Sequence, residues 1–259
     1  DYGRVVKDAC EAGANIIITG AGIPTNMPEF TKNFPDVALV PIVSSARALK
    51  LICKKWQRYN KLPDAVIVEG PLSGGHQGFK YEDCYKEEFQ LENIVPPVIE
   101  EAKKWGDIPV IAAGGIWDKK DIDKFIALGC AGVQMATRFI GTFECDADSK
   151  FKDVLLNAKE EDIVLMSSPV GLPARGVKTN LQFSIENHTA PKVQCISNCV
   201  APCNRGTEAK IVGYCIADRL GAAYKGDVET GLFFSGSNGY KIDKIISVKE
   251  LMEKLTKGE

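Results

Sequence analysis

The stretch VIVEGPLSGGHQGF, residues 66–79, places His76, one of only two histidines in 259 residues, directly after Ser73-Gly74-Gly75. An imidazole changes charge near neutral pH, so a histidine in such a loop is suited to moving a proton. Gly74 and Gly75 permit positive φ and let a ligand approach the backbone closely. The plainer alternative is a histidine that caps a helix or is satisfied by main-chain groups. His188 has no comparable setting and reads as a surface residue.

Two further stretches suit an anion. AAGGI (112–116) and GVQMATRF (132–139) each end an apolar run in small residues, which leaves backbone N–H groups unobstructed. Gly114, Gly115 and the Thr137 hydroxyl are therefore candidate phosphate donors, with simple turn glycines as the alternative. Cys195, Cys199, Cys203 and Cys215 could converge on zinc or an iron–sulfur cluster, although the spacing matches neither common pattern. Packed thiols or a redox-sensitive disulfide would also account for them. In GLPARGV (171–177), read as a loop, Arg175 offers a fork for an anion or takes part in a surface salt bridge. FFSGSNGYKIDKI (233–245) is either a wall of the site or a turn.

Alternating elements must position these residues. Short apolar runs at 15–19, 38–43, 65–69, 109–113 and 131–136 predict strands buried on both faces. Helical patterns are expected over 2–12, 45–59, 91–105 and 118–128. Repeated β/α units point to a parallel α/β sheet or a (β/α)8 TIM barrel, with a doubly wound sheet as the competitor. GAGIPT (20–25) follows a strand, but Thr25 occupies the third glycine position of the dinucleotide fingerprint. The unusual residues cluster after the strands, where such folds place active sites. The rhythm breaks near 144. Helices are expected over 149–158, 208–223 and 247–255, and a strand over 162–166. The division expected is a barrel portion, 1–143 with 241–259, and an insertion or cap, 144–240, carrying the cysteines. The first helix has no strand before it, so further β/α units are expected upstream.

Acids and bases are interspersed and the net charge is −2, which argues against a nucleic-acid or membrane-surface partner. No apolar run reaches the length of a membrane span, and no secretory signal is expected. Nine cysteines in this setting suggest a reducing, cytoplasmic location. Cys10, Cys53 and Cys130 read as packing residues.

EGPLSGGHQGF, PVIAAGGI, LGCAGVQMATRF and GLPARGV, in this order, resemble the nitronate monooxygenase (2-nitropropane dioxygenase) family, to which the flavin-dependent enoyl-ACP reductases are close. The resemblance implies a TIM barrel that binds FMN. It places the FMN phosphate on Gly114, Gly115, Gln134, Met135, Ala136 and Thr137, and runs Gly74 and Gly75 beside the flavin ring. It makes His76 the base that acts on a small-molecule nitronate. The reductase alternative would use NAD(P)H, and a non-catalytic flavin- or metal-binding sensor is the third reading. A homodimer is compatible with each. Ala136 stands where the family usually has glycine, and its N–H remains available.

Overall fold

The computed structural model describes residues 2–20, 22–187, 189–190 and 213–258. The chain divides into two compact units. Unit 1 comprises 1–71, 85–113 and 123–134; unit 2 comprises 72–84, 114–122 and 135–259.

Unit 1 is built on five parallel strands in the order β1-β2-β3-β5-β6: β1 Ile16–Thr19, β2 Ala38–Val43, β3 Val66–Glu69, β5 Val110–Ala113 and β6 Gly132–Gln134. The intervening β4 (Gly75–His76) belongs to unit 2. Register is set by ladders such as Ile17↔Leu39, Ile67↔Ile111 and Ala113↔Gln134. Val40, Ile67 and Ala113 form one core cluster, with Ile42 and Ile111 against it.

Helices α1 (Tyr2–Glu11), α3 (Ala46–Trp56), α4 (Leu91–Lys103) and α5 (Lys119–Ala127) form where the 3.6-residue apolar spacing predicts them. A single turn of helix, α2 (Met27–Phe30), falls between β1 and β2 in the chain. Ser45 caps α3, its hydroxyl accepting from the Ala48 N–H. Buried Leu49, Ile52, Cys53 and Trp56 form the inner face of α3. The expectation of strands buried on both faces fails at β1. It is the outermost strand of the ladder, and Ile16 and Ile18 are more than half exposed.

Unit 2 carries an antiparallel sheet, β4-β8-β7: β4 Gly75–His76, β7 Ile163–Ser167 and β8 Pro173–Val177. GLPARGV is therefore largely a strand, not a loop. Pro173 is tolerated because it opens β8, and Gly176 because a Cβ there would lie 2.5 Å from the Phe233 carbonyl oxygen. Arg175 is buried in β8 opposite Gly75, which removes the surface reading. Two clusters make the core: Leu155, Val177, Ala223, Phe233 and Ile242, and Leu181, Tyr214 and Leu232. Of the helix expected over 208–223, residues 208–212 lie outside the described residues, 213–215 are not helical, and the helix observed is Ile216–Tyr224; Val248–Lys257 is the last one. Among the described residues no helix is long and apolar enough to cross a membrane.

Candidate active site

Unit 2 gathers the unusual loops. Gly75 has φ +75°, a conformation open to glycine, and pairs with Arg175; His76 pairs with Ala174. Buried Gln77 holds this turn from within: its amide donates to the carbonyls of Ser73 (2.9 Å) and Gly75 (3.0 Å). His76 is half-buried. Its Nε2 lies 2.8 Å from Ser168 Oγ, and its ring meets Phe234 edge-on with centroids 5.4 Å apart. Desolvation lowers its pKa, so the neutral imidazole prevails at neutral pH.

Segment 234–238 forms a wall against the same turns. A Cβ on Gly74 would lie 2.7 Å from the Gly236 nitrogen, which is why that position is glycine. The Ser237 N–H donates to the Leu72 carbonyl at 3.0 Å, and the Asn238 side-chain amide donates to the Gly115 carbonyl at 2.6 Å. The sequence left open whether this segment is a wall or a turn; it turns at 237–238 and packs against Leu72, Gly74 and Gly115.

Gly114 and Gly115 take φ of +99° and +80°, and Met135, Ala136 and Thr137 lead into the short helix α6 (Thr137–Ile140). The Thr137 hydroxyl oxygen accepts from the Gly236 N–H at 2.9 Å. Its proton has no acceptor among the described residues and is available to an anion. Arg138 is pinned beside it, stacked 4.9 Å from the Trp117 ring centroid and donating to the Trp117 carbonyl. Gln134 ends β6 in unit 1, one peptide bond before Met135. Main-chain N–H groups and a donating hydroxyl suit a phosphate monoester such as that of FMN.

In unit 1, Glu69 closes β3. Burial raises its carboxyl to about 7, and no hydrogen bond relieves it among the described residues. A carboxyl tuned to that range can exchange protons near neutrality.

Ser168, Phe234 and Asn238 were not singled out by sequence reasoning. The only pointer was the small-residue run SGSNG at 235–239. Of the cysteine group, Cys195, Cys199 and Cys203 lie outside the described residues, and Cys215 is partly exposed at the start of helix Ile216–Tyr224. Cys10, Cys53 and Cys130 are buried, as packing residues are.

A family model described as nitronate monooxygenase matches residues 1–258. The chain belongs to the nitronate monooxygenase family. It thereby joins a family of oxidoreductases. It is 35% identical over 119 residues to a probable nitronate monooxygenase of Staphylococcus aureus strain Newman, a match covering 44% of this chain and 31% of that protein. The chain thus aligns with about a third of the length of that curated relative.

Two solved structures share the fold. FabK from Thermotoga maritima has a TM-score of 0.75 and 29% identity, covering 98% of this chain and 70% of that one. Nitroalkane oxidase from Streptomyces ansochromogenes has a TM-score of 0.68 and 21% identity, covering 98% and 66%. The α/β fold with a parallel sheet is that of these TIM-barrel proteins, as the strand–helix alternation led us to expect.

Proposed function

We propose that the chain is the catalytic part of an FMN-dependent oxidoreductase that oxidises a nitronate or nitroalkane, with His76 as the base. The observation that carries this reading is a neutral, half-buried imidazole held 2.8 Å from Ser168 on a glycine turn. FMN, when bound, would supply the redox chemistry, taking up an electron pair that no side chain here can hold. Gly114, Gly115, Gln134, Met135, Ala136 and Thr137 would hold its phosphate, through main-chain N–H groups and the Thr137 hydroxyl. Gly74 and Gly75 would let its ring lie close. His76 takes the proton from the carbon bearing the nitro group, and its low pKa keeps it ready to accept. With a nitronate, which has already lost that proton, no base is needed and the imidazole serves to orient the substrate.

A second reading, a flavin-dependent enoyl-ACP reductase with NAD(P)H as co-substrate, is favoured by the higher likeness to FabK than to nitroalkane oxidase. There His76 would donate a proton to carbon. Both readings take a small-molecule substrate in a reducing, cytoplasmic setting. The metal reading of Cys195, Cys199, Cys203 and Cys215 contributes no step to either, and a non-catalytic sensor would show neither turnover.

The test is a visible spectrum of protein desalted after incubation with FMN, followed by turnover of propyl-2-nitronate and, separately, NADH oxidation driven by an enoyl thioester. We expect retained flavin and nitronate turnover. His76→Ala should keep the flavin and slow turnover by about 10²- to 10⁴-fold. Full activity in that variant would remove His76 from the chemistry. Thioester-driven NADH oxidation without nitronate turnover would establish the second reading.

A further inference from the structure

One buried side chain fixes the turn that leads into His76. Gln77 is 1% exposed, and both protons of its side-chain amide are committed to main-chain carbonyls, Ser73 at 2.9 Å and Gly75 at 3.0 Å. Its Oε1 accepts from the Ser73 hydroxyl at 3.4 Å. Its main-chain N–H donates to the Pro173 carbonyl at 2.8 Å, which ties the residue to β8.

The direction of two further N–H groups follows. A trans peptide points its N–H opposite to its C=O. The Ser73–Gly74 and Gly75–His76 peptides are both trans, and their carbonyls converge on the single nitrogen of the Gln77 amide. The Gly74 and His76 N–H groups, which belong to these two peptides, therefore point away from it. The ladder agrees. Hydrogen-bonded and non-hydrogen-bonded pairs alternate along antiparallel strands. The bond from Gln77 to Pro173 makes that pair a bonded one, so His76 and Ala174 form the non-bonded pair next to it. β4 is an outer strand of its sheet, and the His76 N–H leaves by the open edge. Gly74 is exposed, and among the described residues neither N–H has an acceptor.

We propose that Gln77 is a positioning residue: by holding the Ser73 and Gly75 carbonyls inward, it presents the Gly74 and His76 N–H groups as a donor pair for the two oxygens of a nitronate. A nitronate spreads its negative charge over two oxygens on one nitrogen. Main-chain donors fixed in advance hold such charge without reorganising, and their bonds to it are stronger than those to a neutral acceptor. With the oxygens held there, the carbon of the substrate falls to the neighbouring imidazole. The task suits glutamine, because a buried neutral amide can serve two carbonyls from one nitrogen, whereas a buried lysine or arginine would bring an uncompensated charge. The proposal rests on the nitronate reading above. It adds which groups hold the charge and which residue aims them.

Nitrate is the probe. It is planar, carries its oxygens on nitrogen and is not oxidised by flavin. The chain has only two histidines, so in His188→Gln labelled with ¹⁵N-histidine the one main-chain amide signal is that of His76. Sodium nitrate is titrated into the FMN-loaded protein in place of sodium chloride. We expect the His76 amide proton to move downfield saturably and its exchange with solvent to slow. In Gln77→Met, nitrate affinity should fall roughly tenfold or more and KM for propyl-2-nitronate should rise by a similar factor, with FMN affinity within about twofold of the parent.

A His76 amide that ignores nitrate, or that responds with equal affinity in Gln77→Met, would overturn the proposal. The parental titration decides the donor pair even if Gln77→Met does not fold. The role of Gln77 then rests on its side-chain amide protons in the parent, which should exchange slowly; rapid exchange would remove that role. Nitrate binding that depends on Gln77, without turnover of propyl-2-nitronate, would defeat the nitronate reading alone and leave the donor pair standing.

Discussion

Glu69 gives the protein a pH-dependent stability whose sign and size follow from its position. It is the last residue of β3, paired in register with Ala113, and burial lifts its carboxyl from 4.5 to about 7. The unfolded chain ionises near 4.5, the folded chain only near 7. Below pH 4.5 both states hold the proton and folding is unaffected. As pH rises from 4.5 to 7 the unfolded state gains progressively by ionising, and above 7 the loss of stability is complete.

At about 1.4 kcal/mol per unit, the full effect is about 3 kcal/mol, of which about 2.5 kcal/mol develops between pH 5 and pH 8. Glu69→Gln keeps the shape and removes the titration. In urea titrations at both pH values, with no flavin added, the variant's stability advantage should grow by about 2.5 kcal/mol from pH 5 to pH 8. In thermal melts this corresponds to roughly 5–10 °C. The other carboxylates are common to both proteins and cancel in the comparison. An advantage that stays constant with pH would refute the reasoning, since it would mean that Glu69 does not titrate in this window.

Gly74→Ala forces a methyl carbon within 2.7 Å of the backbone at Ser235 and Gly236, so the wall at 234–238 must shift. Overpacking of this kind should lower stability by about 1–3 kcal/mol, read as a lower urea midpoint; an unchanged midpoint would mean that the contact yields freely. Burial raises Cys53 to about 12 and Cys130 to about 11, from 9. Iodoacetamide at pH 8 should therefore alkylate Cys130 about a hundredfold more slowly in native than in urea-unfolded protein, and Cys53 more slowly still, followed by peptide mass mapping. Equal rates in the two states would show that these thiols are open to solvent.

The parallel strands were legible in the sequence because each is a local run of apolar residues with its own boundaries. α3 and α4 were legible through their 3.6-residue spacing, and α4 holds its course even with Pro96 and Pro97 inside it. The pairing of β4 with β8 was not. It joins Gly75-His76 to residues nearly a hundred positions later, in a segment whose proline and glycines read locally as loop. β1 departed for another reason: its apolar residues are real, but covering them is a tertiary matter that composition does not report. His76 stood out because histidine is rare here and its neighbours are glycines. Ser168 and Asn238 did not, because serine and asparagine are common types that acquire a role only through what folds against them.

The close glycine approaches have a practical consequence for mapping this protein. Gly74 against Ser235 and Gly236, Gly176 against the Phe233 carbonyl and Gly239 against the Ser235 hydroxyl are approaches in which the missing side chain is what makes the contact possible. A survey that trims side chains to alanine has nothing to trim at these positions and would pass over the seams that shape the turns around His76. The informative experiment adds atoms instead. A glycine-to-alanine series through 74–75, 114–115 and 231–239 would outline the site by its intolerance of a single extra carbon.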